Sequence, residues 1–327
     1  MVYGIGLEEH VHFEKIQSQL SPQYNHDIDP EVTTRLEEVG ELRLNAMKTT
    51  QTAIQVLSMP SRGADTLEGE KGVNYAVSIN NAIYNAIKES PNPKQFRGFA
   101  HLPTQVPILA AVELNRCVKE LGFVGALISG TQNNKFLDDE MFEPIFTKAE
   151  ELDVPIYIHP GPCPKSVKDS YYYSTKNLSI DAANILSLAG LGWHYECGLH
   201  IIRMIFGGVF DKHPNLKIII GHNGEMLTTM FKRLDSFSEK CNLKRSPSVV
   251  LKSQVWVTLS GIWDIVAFRT MISTFGINHI CWSVDYPYVL SALSSARDYL
   301  KLVRDVITES ELERIMYKNA VEYLNIR

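Results

Sequence analysis

The chain has 327 residues, of which 45% are hydrophobic and 21% charged, a composition that excludes disorder and supplies apolar material for a sizeable core. Its 32 lysines and arginines against 37 aspartates and glutamates give a net charge of -5 with no basic cluster, which argues against a nucleic-acid partner. No stretch reaches the ~18 consecutive apolar residues of a membrane span, and the first residues lack a signal peptide's pattern, so a cytoplasmic protein with no membrane partner is expected.

No linker, repeat or low-complexity tract interrupts the sequence, so residues 1–327 read as a single domain. Runs rich in apolar and β-branched residues recur in chain order at Val2–Leu7, Ala53–Met59, Phe99–Leu102, Val124–Ser129, Val154–His159, Leu216–Gly221, Val255–Leu259 and His279–Val284. Helical periodicity fills the gaps at Ile108–Lys119, Asp138–Leu152, Leu199–Phe210 and Leu290–Val303. Strands that are apolar throughout and alternate with helices need cover on both faces, which means a parallel sheet, open or closed. About eight strands favour closure into a (β/α)8 TIM barrel. The turn after the first strand reads GLEEHVHF, without the glycines an open dinucleotide-binding sheet places there.

In a barrel the functional side chains sit at the C-terminal ends of the strands. The first strand ends in Glu8, Glu9, His10 and His12, the fifth in His159, the sixth in His222 and the eighth in Asp285. Converging strand ends would gather these imidazoles and carboxylates into an N/O donor set suited to zinc, manganese or iron. Strand alternation puts Glu8, His10 and His12 on one face and Glu9 on the other, so Glu9 reads as structural. Two ligand registers stay open, Glu8 with His10 or His10 with His12. Taken singly, His26, His194, His200, His213 and His279 read as ordinary core or surface histidines, since none ends a strand; His101 is undecided. The five cysteines are odd in number, scattered and without CxxC spacing, which suits free thiols.

At these residues the chain resembles the amidohydrolase-related decarboxylases, particularly the γ-resorcylate and 2,3-dihydroxybenzoate decarboxylase group. The resemblance runs through GLEEH, TAIQVLS, FRGFAHLPTQVP, ELNRCVKELGFVGALISG, FLDDEMFEPIFTKAEELDVPIYIHP, GLHIIRMIFGGVFDKHPNLKIIIGHNGE, ICWSVDYPY and KNAVEYL. It implies a metal-dependent hydrolase-type barrel with one divalent ion per chain, zinc or manganese, held by Glu8, His10, His159 and Asp285. It implies an unligated catalytic pair, His222 and Glu225, and places Arg233 near the site of a neighbouring subunit in a homodimer or homotetramer. The expected reaction is non-oxidative decarboxylation of a small aromatic carboxylic acid, with Asp285 protonating the ring carbon. The three-residue spacing of His222 and Glu225 is expected to lie on a helical turn. Hydrolysis of a lactone or amide by the same site is the alternative.

Overall fold

The computed structural model describes residues 2–18, 20, 29–60 and 63–326. Nine strand segments form two parallel sheets: β1 (Gly4–His10), β2 (Thr52–Ser58) and β3 (Phe96–Gly98) in one, then β4 (Ala100–His101), β5 (Ala126–Ser129), β6 (Ile156–His159), β7 (Ile218–Ile220), β8 (Val255–Thr258) and β9 (Ile280–Cys281) in the other. Neighbours in each sheet follow chain order, as right-handed strand–helix–strand units dictate. β3 and β4 flank Phe99, whose N–H donates to Leu57 O, while Ala100 N donates to Gly125 O. At the other edges Glu9 bridges to Tyr286, and His10 N donates to Tyr286 O at 2.7 Å. This is an α/β fold of parallel sheets arranged as in a (β/α)8 protein.

One buried cluster takes Ile5 and Leu7 from β1, Val56 from β2, Leu127 from β5, Tyr157 from β6, Ile219 from β7 and Cys281 from β9, together with Phe99. Inward-facing side chains of successive strands thus pack against each other. Ala320, Tyr323 and Leu324 of the helix Asn319–Leu324 join them, with Tyr323 stacked on Trp256 at 3.8 Å. The larger cluster lies between the outer faces of the strands and helices such as Gly69–Glu89, Pro107–Lys119, Glu143–Leu152, Gly192–Phe206, Ile265–Phe275 and Leu290–Arg304.

Two element boundaries differ instructively from the sequence expectation. β1 runs on to His10, carrying Glu8 and His10 within the strand. The last strand stops at Cys281, short of the expected Val284: Trp282 N donates to Ile315 O at 3.0 Å, and Val284 N and Tyr286 N donate to the Glu9 carboxylate (2.9 and 3.2 Å), where a ladder would use a neighbouring carbonyl. Among the described residues no helix is long and apolar enough to cross a membrane.

Candidate metal centre and active site

β1 and β2 slip in register between Gly6 and Glu9. Leu7 packs in the inner cluster, Glu8 and His10 project beyond it, and Glu9 turns away to Gln55 and Ser283. Glu9 is buried, which pushes its carboxyl up to about 8. Arg43 backs it through Gln55 and also donates to His10 O at 2.6 Å, fixing the end of β1. Glu9 is therefore structural.

Glu8, His10 and His159 each offer a ligand atom within 4.8 Å of the others, and Glu8, His222 and Asp285 do the same. Glu8 uses its two oxygens differently. Oε2 accepts from Tyr157 Oη at 2.5 Å, from Thr258 Oγ1 at 3.4 Å and from Ser260 Oγ. Oε1 has no hydrogen-bond partner and faces His159 Nε2 at 3.3 Å and His222 Nε2 at 3.8 Å. Burial raises the Glu8 carboxyl above its ordinary range.

The histidines are oriented from behind. His159 Nδ1 lies 2.7 Å from Pro160 O, so it carries the proton and leaves the Nε2 lone pair aimed at Glu8. Burial, with His10 and His222 beside it, holds the His159 imidazole neutral, down to about 3. His10 Nδ1 contacts Ser58 Oγ at 3.1 Å; His10 Nε2 lies 3.1 Å from Asp285 Oδ1 without a well-aligned hydrogen bond. A lone pair facing a carboxylate oxygen, beside an orphaned buried oxygen and an orphaned buried nitrogen, is the environment a cation relieves. The donor set of two imidazoles and two carboxylates fits a divalent metal ion.

Asp285 takes up φ 62° as the chain leaves β9. Burial opposes its charge, but His10 and His222 outweigh burial and hold it down to about 2. His222 Nε2 sits 3.6 Å from Asp285 Oδ2, and its Nδ1 is 2.6 Å from Glu225 Oε1. Burial works against the His222 cation, yet the Glu8 and Glu225 carboxylates raise it well above the ordinary histidine range.

The segment bearing this pair corrects one expectation. His222, Asn223, Gly224, Glu225 and Met226 all have positive φ, so the spacing is made by a left-handed turn and not by a helical one. Gly224 N donates to Gly221 O at 2.8 Å, and the turn doubles back tightly enough for Glu225 to reach His222. Backbone held in this region persists only where its surroundings over-determine it.

His194 joins the pair from a separate helix. Expected to be an ordinary core or surface group, it donates from Nδ1 to Glu225 Oε2 at 2.8 Å, and its ring lies 4.5 Å from that of His222. Nothing in the sequence signals this, because His194 ends no strand and lies 31 positions from Glu225. His12 contacts Glu14 at 3.2 Å. His101 accepts from Ala64 N and faces Tyr75. His213 bridges Glu143 and Glu150, His279 stacks on Trp256, and His200 is buried beside Phe136. His26 lies outside the described residues. Arg233 is exposed on the short helix Phe231–Asp235, over the Phe237 ring. Among the described residues all five cysteines are free, and Cys117, Cys197 and Cys281 are buried.

Residues 10–326 match the model of the amidohydrolase family. The chain is 31% identical to decarboxylase orsB of Emericella nidulans, over 98% of its own length and 97% of that protein's. It is also 31% identical to the γ-resorcylate decarboxylase of Polaromonas sp., over 97% and 96% of the two lengths. Its structure superposes on the dihydroxybenzoic acid decarboxylase of Polaromonas sp. JS666, solved with bound manganese and the inhibitor 2-nitroresorcinol. The TM-score is 0.84 at 29% identity, covering all of this chain and 98% of that one. The chain belongs to the amidohydrolase family and matches, in sequence and in structure, its γ-resorcylate and dihydroxybenzoate decarboxylases.

Proposed function

We propose that this chain is a metal-dependent decarboxylase that removes CO2, without oxidation, from a hydroxybenzoate-type acid carrying a hydroxyl ortho to the carboxylate. The observation that carries the reading is the convergence of Glu8 Oε1, His10 Nε2, His159 Nε2 and Asp285 beside the His222–Glu225 pair. The chain aligns end to end with decarboxylases of such acids. We read the two sheets as one closed (β/α)8 barrel and residues 1–327 as one domain, since Glu9–Tyr286 and the Phe99 crossing join both pairs of edges.

In this reading Glu8, His10, His159 and Asp285 hold one divalent ion, manganese or zinc. When bound, the ion supplies Lewis acidity and a template for the substrate carboxylate and ortho hydroxyl. The chain's own residues manage the proton. Against burial, the His10 and His222 imidazoles favour the ionised form of Asp285, and the Glu8 and Glu225 carboxylates favour the protonated form of His222. Transfer from His222 Nε2 across to Asp285 Oδ2 loads the carboxyl, which then gives its proton to the ring carbon as the carbon–carbon bond to CO2 breaks. Glu225, ionised under the His222 and His194 donors, keeps Nδ1 of His222 protonated and leaves Nε2 to exchange protons with the substrate hydroxyl and Asp285. Arg233 is assigned to the carboxylate or hydroxyl end of the substrate in a neighbouring subunit of a homo-oligomer.

The test pairs each ortho-hydroxybenzoate with its para isomer and measures CO2. Release from the ortho compounds alone is expected. Equal release from both, or lactone or amide cleavage in its place, would overturn the reading.

A further inference from the structure

We propose that His194 is a positioning residue for the acid–base pair: its Nδ1–H holds the second oxygen of Glu225, fixing the carboxylate edge that fixes His222. The inference rests on the reading of His222 and Glu225 as that pair.

Each carboxylate oxygen of Glu225 has one imidazole. Oε1 takes His222 Nδ1 at 2.6 Å and Oε2 takes His194 Nδ1 at 2.8 Å. Glu225 is 1% exposed, which keeps bulk water from both oxygens. The two rings meet edge to face at 61°, which leaves His222 little room to turn about its own axis. Were Oε2 unpaired, the carboxylate could rotate, Nδ1 of His222 would lose its fixed acceptor, and the tautomer and aim of Nε2 would relax together.

His194 is itself anchored on its far side. Trp193 Nε1 donates to His194 Nε2 at 3.1 Å, and Ala189 O lies 3.0 Å from the same nitrogen. Either partner of Nε2 is compatible with a proton on Nδ1, the proton that Glu225 accepts. The backbone under it is rigid as well. Gly198, four residues on and on the same helix face, packs so closely that a Cβ there would stand 2.4 Å from Glu225 O. Only glycine lets the helix Gly192–Phe206 approach the left-handed turn that carries His222 and Glu225. A helix seated by Gly198 and an imidazole reaching from its first turn together present a fixed donor to a carboxylate whose own backbone is in a sparsely populated region.

A bond that only braces the fold and a bond that orients a proton relay predict different outcomes. His194→Leu deletes the donor. His194→Asn keeps an N–H close to the position of Nδ1 and should rescue. We expect His194→Leu to lower kcat about tenfold, a part of the roughly 10²–10⁴-fold that acid–base catalysis contributes. KM and bound metal per chain should be unchanged, and His194→Asn should recover most of the loss. The second readout needs neither metal nor substrate. In metal-free, 15N-histidine-labelled protein, the downfield Nδ1–H resonance of His222 should persist in wild type and in His194→Asn. It should exchange with solvent and vanish in His194→Leu. An unchanged resonance and kcat in His194→Leu, or equal damage in both variants, overturns the proposal. Should wild type release no CO2 from any acid, the decarboxylase reading fails, while the resonance still decides the role of His194.

Discussion

Tyr157 and His159, two residues apart on β6, reach the same carboxylate from different sides: Tyr157 Oη binds Glu8 Oε2 at 2.5 Å while His159 Nε2 faces Glu8 Oε1 at 3.3 Å. Alternation along a strand puts both side chains inward, one as support and the other as candidate ligand. Tyr157→Phe leaves the ring packing intact but frees Oε2 from its hydroxyl. Because partners behind a ligand tune its affinity, metal binding should weaken roughly 10–100-fold. Isothermal titration of metal-free protein checks this. Unaltered affinity would mean that Ser260 and Thr258 orient Glu8 without help.

Asp285 is assigned two tasks, holding the ion and protonating the ring. Asp285→Asn keeps the shape and removes the exchangeable proton, so turnover should fall by roughly 10²–10⁴-fold or more, with the far-ultraviolet circular dichroism of wild type. Substantial residual CO2 release would move the acid to His222.

For His222→Asn, the expectation is a comparable loss of rate with metal content preserved, read by elemental analysis of the purified variant. Its Nε2 lies 3.6 Å and 3.8 Å from Asp285 and Glu8, so loss of metal would instead promote it to ligand.

His200 offers a test of buried charge remote from the proposed ligands. It is fully buried beside Phe136, and both ring nitrogens lack a hydrogen bond. Burial lowers its pKa to about 3. The unfolded chain therefore takes up a proton at ~6.5 that the folded chain refuses. The contribution of neutral His200 to stability is complete above ~6.5 and is lost as pH falls towards 3, by about 1.4 kcal/mol per unit at most. Urea unfolding at pH 7, 6 and 5 should show a stability difference between wild type and His200→Leu that moves against wild type with acid. A constant difference would place water or a partner on the ring.

Arg233 is exposed and, among the described residues, makes no hydrogen bond or ion pair with a candidate ligand, so its proposed role needs a second subunit. Arg233→Ala and Asp285→Asn should each be inactive alone. When the two are unfolded together and refolded, hybrid oligomers should regain CO2 release, since some sites then receive both native residues. No regain would return Arg233 to an ordinary surface role.

Much of this centre was legible because its residues sit at the ends of strands or a few positions beyond them. His159, His222 and Asp285 each close an apolar run, and Glu8 and His10 share a strand face, so periodicity and a barrel rule were enough to collect them. The helix over Gly69–Glu89 was less visible, since its first residues, Gly69 to Gly72, carry no apolar periodicity. The turn at His222–Met226 was misjudged because i to i+3 spacing is common to helical and left-handed turns, and only backbone dihedrals separate them. His194 was invisible for a different reason. It sits on a helix start, and its importance comes from Gly198 and a distant carboxylate, a relation fixed by packing and not by spacing. Beyond the early stop of β9, likewise, the Glu9 carboxylate replaces a ladder partner, which no local pattern encodes.

The most direct test measures metal content and CO2 release on one preparation, across a panel of ortho-hydroxybenzoates, before and after chelation and after adding back manganese or zinc. Metal-dependent decarboxylation predicts one ion per chain, release that disappears with the ion, and release that returns with it. Undiminished release from protein stripped of metal would contradict it, as would a metal-loaded chain that frees no CO2 from any of these acids.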